Sequence, residues 1–240
     1  MRRRSRSSSK KWPTRTTNIN FTDYPIGMDP NFWHQRWESN NIAFHADEVN
    51  PALTRHFSAL QAGTGGRVFL PLCGKTLDIG WLLTQGYRVA GAELSPTAIG
   101  QLFKQLAMEP SVTQLGTVCH YAGQGIDIYV GDIFQLTAEI VGPVDAVYDR
   151  AALVALPADM RRRYTAHLME MTAKAPQLLL SFAYDQSQME GPPFSVPLEE
   201  VQQHYAAHYA ITELEQTDIP GGLKGICPAA EIVCRLSRAE

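Results

Sequence analysis

"RVFLPLCGKTLDIGWL", Arg67–Leu82, decides the fold. Its first half, "RVFLPL", is a short continuous apolar run of the kind that forms a strand buried on both faces, and it follows a Gly-rich turn at Gly63, Gly65 and Gly66. Its second half reads as a helix from Lys75 to Gln85, ended by Gly86. Between the two halves the lone Gly74 lets the backbone bend sharply or a ligand approach closely. A strand that turns once into a helix is half of a βαβ unit, and the residues downstream repeat the pattern.

"YRVAGAEL" is the next strand, and "SPTAIGQLFKQLAM" restarts helix with Ser95 as cap and Pro96 at its first position. Strands "IDIYVGDI" and "VDAVYDR", helix "PADMRRRYTAHLMEMTAK" and strand "QLLLSFAYD" continue the alternation, which predicts an α/β fold with a mostly parallel sheet and helices on both faces. Upstream, "DPNFWHQRWESN" spaces Phe32, Trp33 and Trp37 as a helix does, with Asp29 as its cap and Pro30 at its start. "NPALTRHFSAL" opens a second helix with Leu53, Phe57 and Leu60 on one face. At the far end "HYAITELEQTDI" and "AAEIVCRLSR" are β-rich with only the loop "PGGLKG" between them, so an antiparallel pair is expected at the sheet edge.

Composition limits the classes of protein this can be. The chain has 240 residues, 45% of them hydrophobic, enough for one globular domain, expected over residues 28–240. It contains no apolar run of the ~20 residues that cross a bilayer and no secretory signal, so a cytoplasmic protein without a membrane role is expected. Cys73, Cys119, Cys227 and Cys234 form no CxxC pair and are expected to be free thiols, with neither zinc nor disulfides. Charge is unevenly placed: residues 1–27 hold seven Lys/Arg against the single acid Asp23, and the remainder carries 14 basic against 23 acidic residues. The basic segment is expected to be disordered. It reads as a solvated extension or as sequence ahead of an alternative start at Met28, in preference to a nucleic-acid or anionic-surface anchor, because an acidic body repels a phosphate backbone.

Ligands of such sheets bind beyond the carboxyl ends of the strands, and four of those ends carry suggestive residues. They are Gly74 in "LPLCGK", Glu93, 19 residues on, Asp132 with Ile133 and Phe134 in "GDIF", and Asp149 with Arg150 in "YDRAALVAL". A carboxylate in the position of Glu93 can accept from ribose hydroxyls. Each residue also has a bland account: Glu93 in a helix cap, Asp132 in a solvated turn, Arg150 in a surface ion pair. Their recurrence at strand ends favours a nucleoside pocket. The first turn lacks both G-x-G-x-x-G and G-x-x-x-x-G-K-[ST], so nothing cradles a pyrophosphate or triphosphate. A nucleoside cofactor without phosphate fits better, and S-adenosylmethionine is the common one.

"FWHQRW", "AFH", "VFLPLCGK", "GAELS", "GDIF", "YDRAALVAL" and "GPPFSVP" follow one another in an order that resembles the thiopurine S-methyltransferase family, its bacterial members in particular, from about Asn31 to the C-terminus. The resemblance implies a Rossmann-like class I methyltransferase: a seven-stranded, mostly parallel sheet whose last strand is inserted antiparallel. It implies S-adenosylmethionine as cofactor and a small-molecule thiol as acceptor, with selenium or tellurium species as a further acceptor class in bacteria. It also implies residue roles. Trp33 and Trp37 fold over the cofactor, Phe44 lies near cofactor and acceptor, and Leu72 meets the methionine part through its backbone. Glu93 accepts from the ribose, Asp132 and Ile133 neighbour the adenine, and Arg150 is the cofactor-site arginine. Phe194 walls the acceptor from "GPPFSVP".

No catalytic residue is assigned, since alignment of a thiol with an already activated methyl needs no strong base. Phe32 is expected in the core, His45 in no metal site, and Cys73 in buried packing. One departure concerns the late loop "DIPGGLKGICP", which offers Lys224 where animal members of the family carry an arginine near the acceptor. A monomer is expected.

Overall fold

The computed structural model describes residues 30–150 and 152–239. The basic segment 1–27 and the Asp29 cap lie outside the described residues.

One sheet organises the described chain. Its strands are β1 (Arg67–Leu70), β2 (Arg88–Glu93), β3 (Ser111–Leu115), β4 (Val118–Gly123), β5 (Ile126–Val130), β6 (Ala146–Asp149), β7 (Gln177–Tyr184), β8 (Tyr209–Asp218) and β9 (Ala229–Arg238), in the order β3-β4-β5-β2-β1-β6-β7-β9-β8. The five central strands, β5, β2, β1, β6 and β7, run parallel, while β9 lies antiparallel between β7 and β8. Helices α1 (Pro30–Glu38), α2 (Pro51–His56), α3 (Leu77–Thr84), α4 (Pro96–Gln105), α5 (Ala138–Val141), α6 (Ala152–Ala155), α7 (Ala158–Met171) and α8 (Leu198–Tyr205) fill the connections.

Side-chain alternation along the buried strands separates two apolar layers, one on each sheet face. In β1, Val68 and Leu70 point into the layer that holds Leu53, Ile79, Leu82 and Ile99 of α2, α3 and α4, whereas Phe69 points into the layer of Tyr164, Leu168, Val201 and Tyr205 from α7 and α8. The expected caps are present: Asn50 Oδ1 accepts the Ala52 N–H at 2.8 Å, and Ser95 Oγ accepts from Ala98 at 3.3 Å. Helix α3 starts at Leu77, two residues after the expected Lys75, because Thr76 caps it. Buried Asp78 then ties three elements together, accepting the Asn50 N–H at 2.8 Å and the Tyr148 hydroxyl at 3.1 Å.

Two expectations need correction. The sheet has nine strands among the described residues, not seven: β3 and β4 form a hairpin that extends it beyond β5. Four of the five β3 residues are exposed, so no buried face imposes a hydrophobic period on them. Phe32 is not a core residue. It lies partly exposed on α1 with the Arg36 guanidinium 4.6 Å from its ring centroid and the Trp33 ring 5.2 Å away. No helix among the described residues is long and apolar enough to cross a membrane.

Candidate active site

The turn after β1 is tight because two residues take the left-handed conformation, Leu72 at φ +45° and Gly74 at φ +52°. That region costs a leucine about 1 kcal/mol; packing of its side chain against the core and the Cys73 N–H donated to the Ala92 carbonyl (2.9 Å) hold it there. Gly74 has a second reason to be glycine: a Cβ there would stand 3.0 Å from Trp37 Cζ2. The indole of α1 therefore lies directly over the turn. Cys73 is buried beside Gly91, and burial pushes its thiol well above the ordinary range, which suits packing and not nucleophilic chemistry.

Glu93, at the end of β2, is 5% exposed and joins this turn to the start of α4. Its Oε2 accepts the Gly74 N–H and its Oε1 the Ser95 N–H, both at 2.8 Å. Burial raises its carboxyl above the usual range, and the N–H donors of Ser95, Gly74 and Leu94 pull it back. Each oxygen keeps a lone pair for a ligand hydroxyl. Helix cap and ribose acceptor are thus compatible in one side chain. The next strand end adjoins it: Gly131 N–H donates to the Glu93 carbonyl at 2.9 Å, followed by Asp132, which caps a short 3-10 turn by accepting from Phe134 (3.0 Å), and by buried Ile133.

Above these strand ends stands an aromatic corner. Trp33 and Trp37 each meet Phe44 edge-on, with centroids 5.7 and 5.5 Å apart, and Phe44 is 40% exposed. A cleft of about 500 Å³ opens beside it between Asn40, Asn41, Ile42, Ala43, His45, Asp47 and Lys75. The corner is cationic on one side: burial, Lys75 and Arg150 lower the His45 pKa, with Asp47 and Asp78 opposing. The described residues contain no group of three or more His, Cys, Asp or Glu able to hold a metal.

Arg150 follows directly on β6, which runs parallel beside β1. Asp149 points the other way, into the core, where Oδ1 accepts from Ala152 (3.0 Å) and Leu153 (3.3 Å) and Oδ2 from the Tyr164 hydroxyl (2.6 Å). Burial raises its pKa to about 6, against ~3.9 for an unfolded aspartate. The folded protein therefore holds an extra proton between these values, and the stability this proton confers is present below pH ~4 and lost as pH rises through about 6. Asparagine preserves all three bonds, with its amide donating to Tyr164. Asp149→Asn is expected to gain on the order of 3 kcal/mol relative to wild type between pH 4 and 7, read from denaturant midpoints; a pH-independent difference would contradict this.

The "GPPFSVP" loop reaches the same end of the sheet. Phe194 N–H donates to the Val154 carbonyl of α6 at 2.6 Å, and Arg161 of α7 lies 5.9 Å from the Phe194 ring centroid. Arg161, only 5% exposed, also pairs with Glu200 of α8 and donates to the Leu156 carbonyl at 2.9 Å. Phe194 makes no ring contact with Trp33, Trp37 or Phe44 among the described residues, so the expected acceptor wall is a separate element from the aromatic corner. Lys224 is a latch: its ammonium donates to the Pro192 carbonyl at 2.6 Å, and its pKa is lowered by burial and then by Arg36 of α1. Lys224→Met is expected to raise the acceptor KM roughly fivefold, about 1 kcal/mol, with cofactor affinity unchanged. An unchanged KM would show that the latch does nothing.

The sequence names Gly74, Glu93, Arg150 and the aromatic residues as candidates and Lys224 as a departure in the late loop; the contacts of Arg161 and the Lys224–Pro192 bond come from the structure alone. Arg161 sits in "RRR" and binds Glu200, 39 residues away, so no local signal marked it.

The residues around the first turn fit a phosphate-free nucleoside that carries a positive charge. Gly74 bends the backbone and leaves its Cβ space to the Trp37 indole, Glu93 keeps acceptor capacity, and Trp33, Trp37 and Phe44 form a cluster of rings beside the turn, as suits a cation. Strand order, inserted antiparallel strand and this first turn define a class I S-adenosylmethionine-dependent methyltransferase fold. Solved structures agree at the level of fold. The Burkholderia thailandensis 1,6-didemethyltoxoflavin-N1-methyltransferase, crystallised with bound 1,6-didemethyltoxoflavin and S-adenosylhomocysteine, aligns with TM-score 0.58 at 17% identity over 94% of each chain. The N-methyltransferase NodS from Bradyrhizobium japonicum, bound to S-adenosylhomocysteine, aligns with TM-score 0.58 at 15% identity over 86% of this chain and 98% of its own.

Sequence comparison narrows the class. The family description thiopurine S-methyltransferase (TPMT) matches residues 28–225, and the chain belongs to that family. It is 53% identical over 213 residues to the thiopurine S-methyltransferase of Xanthobacter autotrophicus, covering 88% of this chain and 100% of the relative. It is 51% identical over 211 residues to that of Teredinibacter turnerae, covering 88% and 98%.

Proposed function

We propose that the protein transfers the methyl group of S-adenosylmethionine to the sulfur of thiopurines and of other small aromatic or heterocyclic thiols. The observation that carries this is the family match across residues 28–225, which includes every strand end of the site. When bound, the cofactor supplies an activated methyl on a positively charged sulfur. Glu93 holds the ribose through the lone pairs its backbone donors leave free, and Asp132 and Ile133 flank the adenine. The Leu72 backbone meets the methionine part. Trp33, Trp37 and Phe44 attract the positive charge with their ring faces and exclude water from the cradle.

Arg150, always charged, binds an anion by two parallel donors, either the methionine carboxylate or the acceptor thiolate. Phe194 presents an apolar face to the acceptor, on a loop that Arg161 supports from below and Lys224 latches from the side. The chain's work is positioning: alignment of a soft sulfur with the methyl provides most of the rate, so no residue is assigned as a base. All these residues come from one chain, which makes a monomer sufficient. Its four unpaired cysteines suit the reducing cytoplasm.

An acceptor panel of mercaptopurines, thiophenols, selenite and tellurite with methyl-labelled cofactor tests the reading. Label on the thiols supports it, label confined to selenium or tellurium products replaces it with a metalloid-methylating role, and label on nothing leaves a nucleoside-binding module.

A further inference from the structure

The loop between β7 and α8 is tied down along its length. Pro192 and Pro193 bring no N–H, so each has its carbonyl as its only backbone hydrogen-bonding group. Both carbonyls are taken, Pro192 by the Lys224 ammonium at 2.6 Å and Pro193 by the Tyr184 hydroxyl at 2.7 Å. The three residues that follow donate their N–H groups to three different places: Phe194 to the Val154 carbonyl (2.6 Å), Ser195 to Gln186 Oε1 (2.8 Å) and Val196 to the Phe182 carbonyl (2.7 Å). Ser195 Oγ in turn accepts the Tyr184 N–H at 3.0 Å.

Gln186 joins the two ends of this loop. Its Nε2 donates to the Met189 carbonyl at 2.6 Å and to the Tyr184 hydroxyl at 3.0 Å, while its Oε1 accepts from Ser195. These partners fix the orientation of the amide, because a carbonyl can only accept and an N–H can only donate. Tyr184 therefore receives a hydrogen from Gln186 and passes its own to Pro193, a chain of bonds with one direction. The backbone of Gln186 is itself held. Asp185 caps the 3-10 turn Gln186–Gln188, accepting from Gln188 Nε2 (3.0 Å) and from the Ser187 hydroxyl (2.7 Å) and N–H (3.0 Å), and these donors lower its carboxyl pKa. Beneath the chain, Tyr184 packs against the buried cluster of Met189, Leu223, Cys227 and Ala229.

We propose that Gln186 is the positioning residue for the acceptor wall: through Tyr184, Met189 and Ser195 it holds the β7–α8 loop, with Phe194, in its working form before any ligand arrives. Acceptors are then selected by fit to a fixed face and not by closure of a lid. That acceptors meet this face rests on the function proposed above; the fixing of the loop by Gln186 does not. Gln186 is exposed, so water replaces its bonds when it is removed, and the loss falls on the order of the loop and not on buried groups left unpaired.

Amide hydrogen exchange at Phe194, Ser195 and Val196 tests the fixing without activity. In the ligand-free wild type all three are expected to be protected, and to stay within about twofold when S-adenosylhomocysteine and 6-mercaptopurine are added. Gln186→Met is expected to speed all three by about tenfold or more, although Phe194 and Val196 keep their own acceptors. Acceleration confined to Ser195 would reduce Gln186 to a local partner of that amide, and protection that appears only with ligand would make the loop a lid; either result overturns the proposal. In steady-state kinetics, Gln186→Met is expected to raise KM for 6-mercaptopurine about tenfold, with kcat and S-adenosylhomocysteine affinity within about twofold of wild type. Tyr184→Phe frees only the Pro193 carbonyl; it is expected to raise KM about threefold alone and to add nothing to Gln186→Met, where the chain of bonds is already broken. Losses that multiply in the double variant, or an unchanged KM in Gln186→Met, contradict the proposal. If the wild type methylated no thiol, the proposed function would fail while the exchange measurement still decided whether Gln186 fixes the loop.

Discussion

Glu93→Ala is expected to abolish S-adenosylhomocysteine binding and to lower the melting temperature by roughly 10 °C. The carboxylate is the acceptor for two buried N–H groups, those of Gly74 and Ser95. Each donor left without a partner costs about 1–3 kcal/mol, and the vacated volume adds to this, so a loss on the order of 3–5 kcal/mol follows from stability alone. Glu93→Gln separates the two roles. Its single carbonyl oxygen satisfies one donor and sets an amide group against the other, so it is expected to lose about half the stability and still fail to bind ligand tightly. If Glu93 were only a cap, protein that remained folded would bind the cofactor product with wild-type affinity.

Arg161→Ala is expected to destabilise the fold by about 3 kcal/mol and to disable the acceptor loop. Arg161 is almost wholly inside the protein, with Glu200 and the Leu156 carbonyl as its partners and the Phe194 ring beside it. Removing one member of such a pair costs ~3–5 kcal/mol when the other charge is left alone; Glu200 keeps His204 at 3.2 Å and some contact with water, which favours the lower end. Because Arg161 meets Phe194 inside the loop and Glu200 in the helix that follows it, kcat/KM for the acceptor should fall further than affinity for S-adenosylhomocysteine. Equal losses in both would mean that Arg161 supports the whole fold and not the loop in particular. Denaturant unfolding together with steady-state kinetics supplies both readings.

Features written in local patterns were legible beforehand. Continuous apolar runs marked β1 and β7, and Ser95-Pro96 and Asn50-Pro51 marked helix starts; the acids Glu93, Asp132 and Asp149 stand at strand ends as read. What stayed hidden depends on contacts distant in sequence or on surfaces without a period. The β3–β4 hairpin lies at the sheet margin, where exposed residues need no alternation. Arg161 looks like an ordinary surface cation until folding brings Glu200 to it, and Lys224, marked only as a departure in the late loop, finds its partner in the Pro192 carbonyl, 32 residues away. Phe32 looked like core because apolar spacing identifies a helix face without saying what covers it; here a cation from its own helix does. Glu93 was ambiguous because helix cap and ligand acceptor use the same residue type at the same place; the bonds to Gly74 and Ser95 are what the structure adds.

The most direct test of thiol methylation is mass spectrometry of 6-mercaptopurine incubated with the protein and methyl-deuterated S-adenosylmethionine. One trideuteromethyl group is expected on the purine sulfur, formed by the wild type and lost in Glu93→Ala. Tight binding of S-adenosylhomocysteine with no methyl appearing on sulfur would contradict it.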